Sequence, residues 1–226
     1  MPGTEDRNSR AIQSLAPYKW RGARILEAVC EVNEHVVSAL TDLARHESAS
    51  VSIVRQNADA LRRLDLAACR RAASIPVLLV DLAFQDEQWW HHAIRGVGIS
   101  EPSATPFSFP SKYAGEIARE ALIVAWLAVQ NSRVSANLLF GMSEQVADLL
   151  NELTPCQLGK AADRSMHAMR IRWQSRSDFW RMLLVAGKNG SAQELCEVQL
   201  LGLQLLGGEL MGERRAAVSR SATSFA

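Results

Sequence analysis

No two cysteines of this chain lie close together: Cys30, Cys69, Cys156 and Cys196 stand about 40 or more residues apart, with no CxxC pair. Zinc and redox centres usually draw ligands from short spacings, because a local loop orders two donors at little entropic cost. No metal site is readable, and the cysteines are expected to be reduced, mostly buried thiols. Histidine is as thinly spread. His91 and His92 are adjacent and point apart on any regular element, and His35, His46 and His167 would have to be recruited from far away. Surface or partly buried histidines are the expectation.

A strong charge of either sign is also missing. The formal net charge is +1 and the isoelectric point about 7.7, so any contact with nucleic acid must come from a local basic patch or from a partner. Long apolar runs are absent too. The stretch Ile75 to Ala83 contains Pro76 and Asp81, and Leu195 to Met211 is interrupted by Glu197, Gln199, Gln204 and Glu209, so neither can span a membrane. Residues 1–13 are polar and mixed in charge, unlike a secretory signal. A cytoplasmic location follows as the expectation. Catalytic signatures are lacking as well: there is no Gly-rich phosphate loop, GxSxG elbow, HExxH or recognisable carboxylate pair. No catalytic residue, cofactor site or enzymatic activity is expected.

What the chain does have is helical pattern almost throughout, with 48% hydrophobic residues over 226 positions, enough to bury a substantial core. Gly96 to Pro110 is the exception, since Gly96, Gly98, Pro102, Pro106 and Pro110 cannot continue a helix. Around this linker the chain repeats itself at an offset of 89. Residues 56–64 align with 145–153, the match runs through Ala72-Ala73 over Ala161-Ala162 to Gln85 over Gln174, and eight of the thirty positions from 56 to 85 are identical. A duplicated chain can build internally what a single-copy relative must build by dimerising.

Helix punctuation falls in the same register. Thr154, Pro155 and Gln157 form a capping box with proline in the first turn, and Asp65 occupies the matching place in the first copy. A further box, Ser191 with Glu194, opens a helix with the apolar stripe Leu195, Val198, Leu201, Gly202 and Leu205, which Gly207-Gly208 is expected to weaken. Long helices precede each cap, over roughly Ile25 to Leu43 and Glu116 to Leu139. The apolar surface of the second, including Trp126, is broader than one neighbour needs. Tryptophans cluster at the ends of the copies: Trp89, Trp90, Trp173 and Trp180. They fill the core or anchor a partner. One basic run could reach phosphates: Arg164, His167, Arg170, Arg172, Arg176 and Arg181, with residues 164, 167 and 171 sharing a helical face, as do 172 and 176. The bland alternative is a solvated face balanced by Asp163 and Asp178.

Leu138 to Leu150, followed by Leu153-Thr154-Pro155-Cys156-Gln157-Leu158-Gly159-Lys160-Ala161-Ala162 and by Ile171-Arg172-Trp173, resembles the FlhD family, the smaller subunit of the bacterial flagellar master transcriptional regulator. In that family a long apolar helix leads to a Phe-x-x-Gly turn, an acidic helix, a Leu-Thr-x-x-Gln start, a Lys-Ala-type helix and a Phe-Arg-Phe end. The resemblance implies an all-α fold of two FlhD-like helical units related by pseudo-twofold symmetry: a disordered arm at 1–17, a degenerate unit at 18–95, the linker at 96–111, a clearer unit at 112–217 and a tail at 218–226.

It also implies a non-enzymatic regulator subunit that joins an FlhC-like partner to activate promoters of flagellar or mobile-element genes. The DNA-binding candidates are Lys160, Arg164, Arg170, Arg172 and Arg176; the partner-interface candidates are Trp126, Trp173, Trp180, Leu195, Leu201 and Leu205. Met169 stands where the family has a bridging cysteine, so no such disulfide is expected, and Ser191 replaces a basic residue in the turn before the last helix. A homo-oligomer or a pseudo-dimeric monomer both fit. The competing reading is a helical adaptor of a secretion or conjugation system that binds no DNA.

Overall fold

The computed structural model describes residues 6–46, 51–96 and 111–223, with side chains described for 23–46, 51–96 and 112–212. Among them the first half runs α1 (Asp6–His46), α2 (Ser52–Gln56), α3 (Ala58–Arg62), α4 (Leu66–Ala73), β1 (Val80–Asp81) and α5 (Glu87–Arg95). The second half runs α6 (Ser111–Asn131), α7 (Arg133–Phe140), α8 (Glu144–Asn151), α9 (Pro155–Ser165), β2 (Arg170–Ile171), α10 (Ser177–Asn189) and α11 (Ala192–Thr223). The fold is all-α in class, as the sequence predicts. No helix among the described residues is long and apolar enough to cross a membrane.

α1 forms because Val29, Val32, Val36, Leu40 and Leu43 recur every three or four residues and are all buried. α6 lies against it and buries Ala114, Ala118, Ala121, Ala125 and Ala128. Alanine allows close helix approach and carries the highest helix propensity. Asn33, fully buried on α1, serves a different purpose. Its amide nitrogen donates to the carbonyls of Ile75 (3.2 Å) and Val77 (2.9 Å), and its oxygen accepts from the Leu79 amide (2.8 Å), so one polar side chain holds the non-helical segment leading into β1.

Several boundaries depart from the sequence reading. α1 begins at Asp6, so most of the stretch 1–17 expected as a disordered arm is helical, and residues 1–5 lie outside the described residues. Extending a helix that its buried part has already nucleated adds one hydrogen bond per residue. For the same reason α11 continues through Gly207-Gly208 and takes in most of the expected tail. The helix expected over 116–139 is instead broken at Ser132, whose hydroxyl accepts from the Ser135 amide (3.2 Å) and starts α7. Most of the linker, residues 97–110, lies outside the described residues.

The predicted caps form. Asp65 accepts from the Ala68 amide (2.7 Å), and Thr154 and Gln157 exchange bonds as a capping box. Ser191 accepts from the Glu194 amide (3.3 Å), whereas the Glu194 carboxylate turns to Asn189 (3.2 Å) rather than back to the cap.

The two halves cross over each other. α4 of the first half packs on α10 of the second, while α9 of the second packs on α5 of the first. Gly187 makes the first crossing possible: a Cβ there would stand 2.8 Å from the Ala72 methyl and 2.9 Å from the Ala68 carbonyl oxygen. Each crossing carries an arginine at a helix end. Arg71 on α4 donates to the Gly187 (2.7 Å) and Lys188 carbonyls at the end of α10, and Arg164 on α9 donates to the Ala93 carbonyl at the end of α5. Both receiving helices stop at a left-handed glycine, Gly190 and Gly96, each at φ 71°. Glycine adopts that conformation without steric cost, and a cation there complements the negative helix end.

Between the crossings, β1 and β2 pair antiparallel with Val80 opposite Ile171 and Asp81 opposite Arg170. Strands of two residues carry no alternation, so this ladder left no mark in the pattern. Buried apolar side chains from both halves form one cluster.

Candidate functional site

Beside the ladder a cleft of about 400 Å³ opens, lined by Asp81, Gln85, residues 170–176 and Glu209. Arg172 is its foundation, with a side chain only 5% exposed. Its Nε donates to the Val80 carbonyl (3.3 Å), one terminal nitrogen to Glu209 (2.9 Å), and the other to the Phe140 carbonyl and to Asp81 (3.5 Å). Its backbone amide extends the ladder to the Leu79 carbonyl (2.8 Å). One guanidinium therefore ties together β1, α7, β2 and α11. Planar arginine suits such multiple donation; a lysine point charge does not.

Next to Arg172 the chain turns sharply. Trp173 sits at φ 53° and Ala83, which follows β1, at φ 56°. Such conformations cost about 1–3 kcal/mol for residues other than glycine and concentrate where surrounding structure forces them. The forces here are aromatic. Trp173 packs edge-on against Phe179 (4.7 Å between centroids), and Trp180, fully buried, donates its indole N–H to the Arg172 carbonyl (3.0 Å). After β1, Trp90 likewise donates to the Ala83 carbonyl (3.0 Å). The Trp173 Nε1 and the Gln174 Oε1 are buried and have no hydrogen-bond partner.

Three of the five cations expected to face phosphate, Arg170, Arg172 and Arg176, come together at this cleft, but not through a shared helical face. α9 ends at Ser165, and residues 166–176 form turns and β2. Arg170 and Arg176 are exposed, whereas Arg172 is consumed by the interior and is corrected from a phosphate ligand to a structural tie. Arg164 and Lys160 lie on α9 and do not line the cleft. Arg164 is half-buried and engaged with Ala93, so it too acts within the fold, while Lys160 is exposed.

The partner-interface candidates are all buried or half-buried. Trp180 belongs to the core, Trp173 is buried, and Trp126, Leu195, Leu201 and Leu205 are half-buried against the core cluster. Trp126 keeps a buried indole N–H without a partner. The apolar side chains that do reach the surface include Ile123, Leu127, Val134 and Leu138 on α6 and α7 and Leu200, Leu203 and Met211 on α11. Ile123, Leu127 and Val134 belong to the apolar surface that the sequence shows to be broader than one neighbour needs, but which of its faces stays uncovered cannot be ranked without knowing the helix's neighbours.

A second, more open hollow of about 490 Å³ lies between α1 and α6, lined by Glu31, Glu34, His35 and Glu120 among others. His35 spans the two helices, 2.9 Å from Glu120 and 3.9 Å from Glu116. All four cysteines are free, Cys69 buried and Cys156 and Cys196 exposed. Burial pushes the Cys30 thiol pKa up, helped by Glu27 and Glu31. Burial likewise raises that of Cys69, opposed by the Thr41 hydrogen bond and by Arg45. Among the described residues no cluster of three or more His, Cys, Asp or Glu side chains could hold a metal ion.

No family model, curated protein or solved structure matches the chain.

Proposed function

We propose that this protein is a non-enzymatic, FlhD-like regulator subunit whose two helical halves form a pseudo-dimer within one polypeptide, and that it acts on promoters through an FlhC-like partner. The observation that carries the reading is the reciprocity of the crossings: α4 with α10 and α9 with α5, each sealed by an arginine on a helix end. Reciprocal contacts of this kind are what a twofold interface requires. The related positions extend further. Asp86 opens α5 and Arg176 opens α10, and Trp89-Trp90 answer Phe179-Trp180 at an offset of 90, one more than before the ladder. A single residue is gained between β2 and α10 in the second half.

Tethering replaces a bimolecular association by an intramolecular one at an effective concentration in the millimolar range for short linkers. It also frees the two halves to diverge. The first half keeps Asn33 as an internal tie, and the second carries α11 and the basic cleft. Near-neutral net charge argues for reaching DNA in a complex rather than alone. The exposed cations left for that contact are Lys160, Arg170 and Arg176.

Co-purification with a candidate FlhC-like partner, followed by promoter shift assays with and without it, tests the reading. A shift that needs both proteins supports regulation. Tight promoter binding by this chain alone at physiological salt overturns the partner dependence, and a complex that shifts no promoter leaves the adaptor reading in its place.

A further inference from the structure

α11 has two apolar faces, and the fold covers one of them. Val198, Gly202 and Leu206 are buried, with Gly202 set against Ile75 and Val77 and Leu206 against Gly141. On the opposite side Leu200, Leu203, Gly207 and Met211 follow one another at intervals of three and four residues, which places them on one face of the helix. Leu200 is 55% and Met211 57% exposed. A Cβ added at Gly207, Gly208 or Gly212 meets nothing within 4 Å, so among the described residues no element lies over this face. α6, the helix that follows α5 in the first half, is covered by α1, whereas α11, which follows α10, touches chiefly α10 and α7 on its inner side.

Charge along the helix selects what lies there. Residues 192–213 carry Glu194, Glu197, Glu209 and Glu213 and no Lys or Arg, while residues 214–223 carry Arg214, Arg215 and Arg220 and no Asp or Glu. Each end of α11 is thus complementary to its other end. A copy laid parallel is repelled, and a copy laid antiparallel is attracted. The glycines fix where two such helices cross. In Ala192–Thr223, 15 residues precede Gly207 and 15 follow Gly208, so a fully overlapped antiparallel pair crosses at the position that has no side chain. Interaxial distance is set by the side chains at the contact, and glycine there lets the axes approach most closely.

We infer that α11 pairs antiparallel with the α11 of a second copy of this chain, crossing at Gly207-Gly208. Leu200, Leu203 and Met211 cover one another across the twofold axis, and the acidic start of each helix lies beside the basic end of its mate. A twofold contact needs a self-complementary surface, which this helix carries in shape, apolarity and charge together. The inference goes beyond the pseudo-dimer within one chain and does not depend on a regulatory partner. One helix-on-helix contact is small, so a reversible association in the range of about 10–100 µM is expected.

Sedimentation equilibrium of the full chain over a concentration series tests it. Leu200→Glu and Met211→Glu are each expected to weaken association about tenfold or more without changing the melt of dilute protein, because both side chains are exposed in the single chain. Two charge variants read the orientation: Glu197→Arg, and Arg214→Glu with Arg215→Glu. Each alone sets like charges together and loses self-association, and an equimolar mixture of the two recovers it, since only an antiparallel pair brings the exchanged charges back into register. A chain that stays monomeric up to about 1 mM overturns the inference. So does a dimer that Leu200→Glu and Met211→Glu leave intact, or a mixture that associates no better than its components. A monomeric chain whose co-purification with an FlhC-like protein is lost in Leu200→Glu overturns it as well and assigns the face to that partner. Dimerisation through α11 leaves the promoter assay undecided, so the two readings fail separately.

Discussion

Asp81 and Arg170 face each other across the two-residue ladder, and they are 89 positions apart in the chain, the same offset at which the two halves align. A residue pair that an internal repeat maps onto itself lies on the local twofold axis. The proposed pseudo-dimer would therefore have the ladder at its centre, with Arg172 following β2 and bonded to the Leu79 and Val80 carbonyls.

Arg172 is therefore expected to be among the least replaceable residues. Arg172→Leu strands the Phe140 and Val80 carbonyls and the Asp81 carboxylate, and a cost of about 3–5 kcal/mol is predicted, as for breaking other buried charge pairs. Arg172→Lys recovers little of it, because an ammonium cannot reach four acceptors spread over three elements. Urea denaturation reads both, and a loss below about 1 kcal/mol for Arg172→Leu contradicts the assignment.

The clasp arginines make a paired prediction. Arg71→Ala and Arg164→Ala each remove a charged donor from a helix end of the other half, at about 1–2 kcal/mol apiece. Similar losses from two residues 93 positions apart in sequence are expected if the crossings are equivalent. A measurable loss from only one of them shows that the crossings differ in kind.

Glycines separate close packing from mere presence in a helix. Gly187→Ala forces α4 and α10 apart and costs about 1–3 kcal/mol. Gly208→Ala, where an added Cβ meets nothing within 4 Å, stabilises α11 by about 0.5–1 kcal/mol through helix propensity. Opposite signs in thermal melts support the packing described; the same sign in both contradicts it.

Local signals in the chain were legible. Asp65, Thr154, Gln157 and Ser191 can be read as caps because a cap needs only its own next three residues. The breadth of the helices was less so: α1 reaches Asp6 and α11 passes Gly207-Gly208, since tertiary anchoring overrides a weak local preference. The cleft was the hardest. Its cations were picked out as a helical face, but residues 166–176 are held in turns by Trp180, the Leu79 carbonyl and the four acceptors of Arg172, all distant in sequence or hidden in side-chain geometry. The repeat itself was visible as far as Gln85 over Gln174 and lost beyond it, because one extra residue shifts Trp90 onto Trp180 at an offset of 90.

The most direct test of the two-half account is to place a protease site within residues 97–110 and cut the folded chain there. The account predicts that the fragments stay together as a one-to-one complex on size exclusion, with a Tm that becomes dependent on protein concentration once the tether is cut. Fragments that separate while each remains folded, or a melt that is unchanged by both cutting and dilution, contradict it.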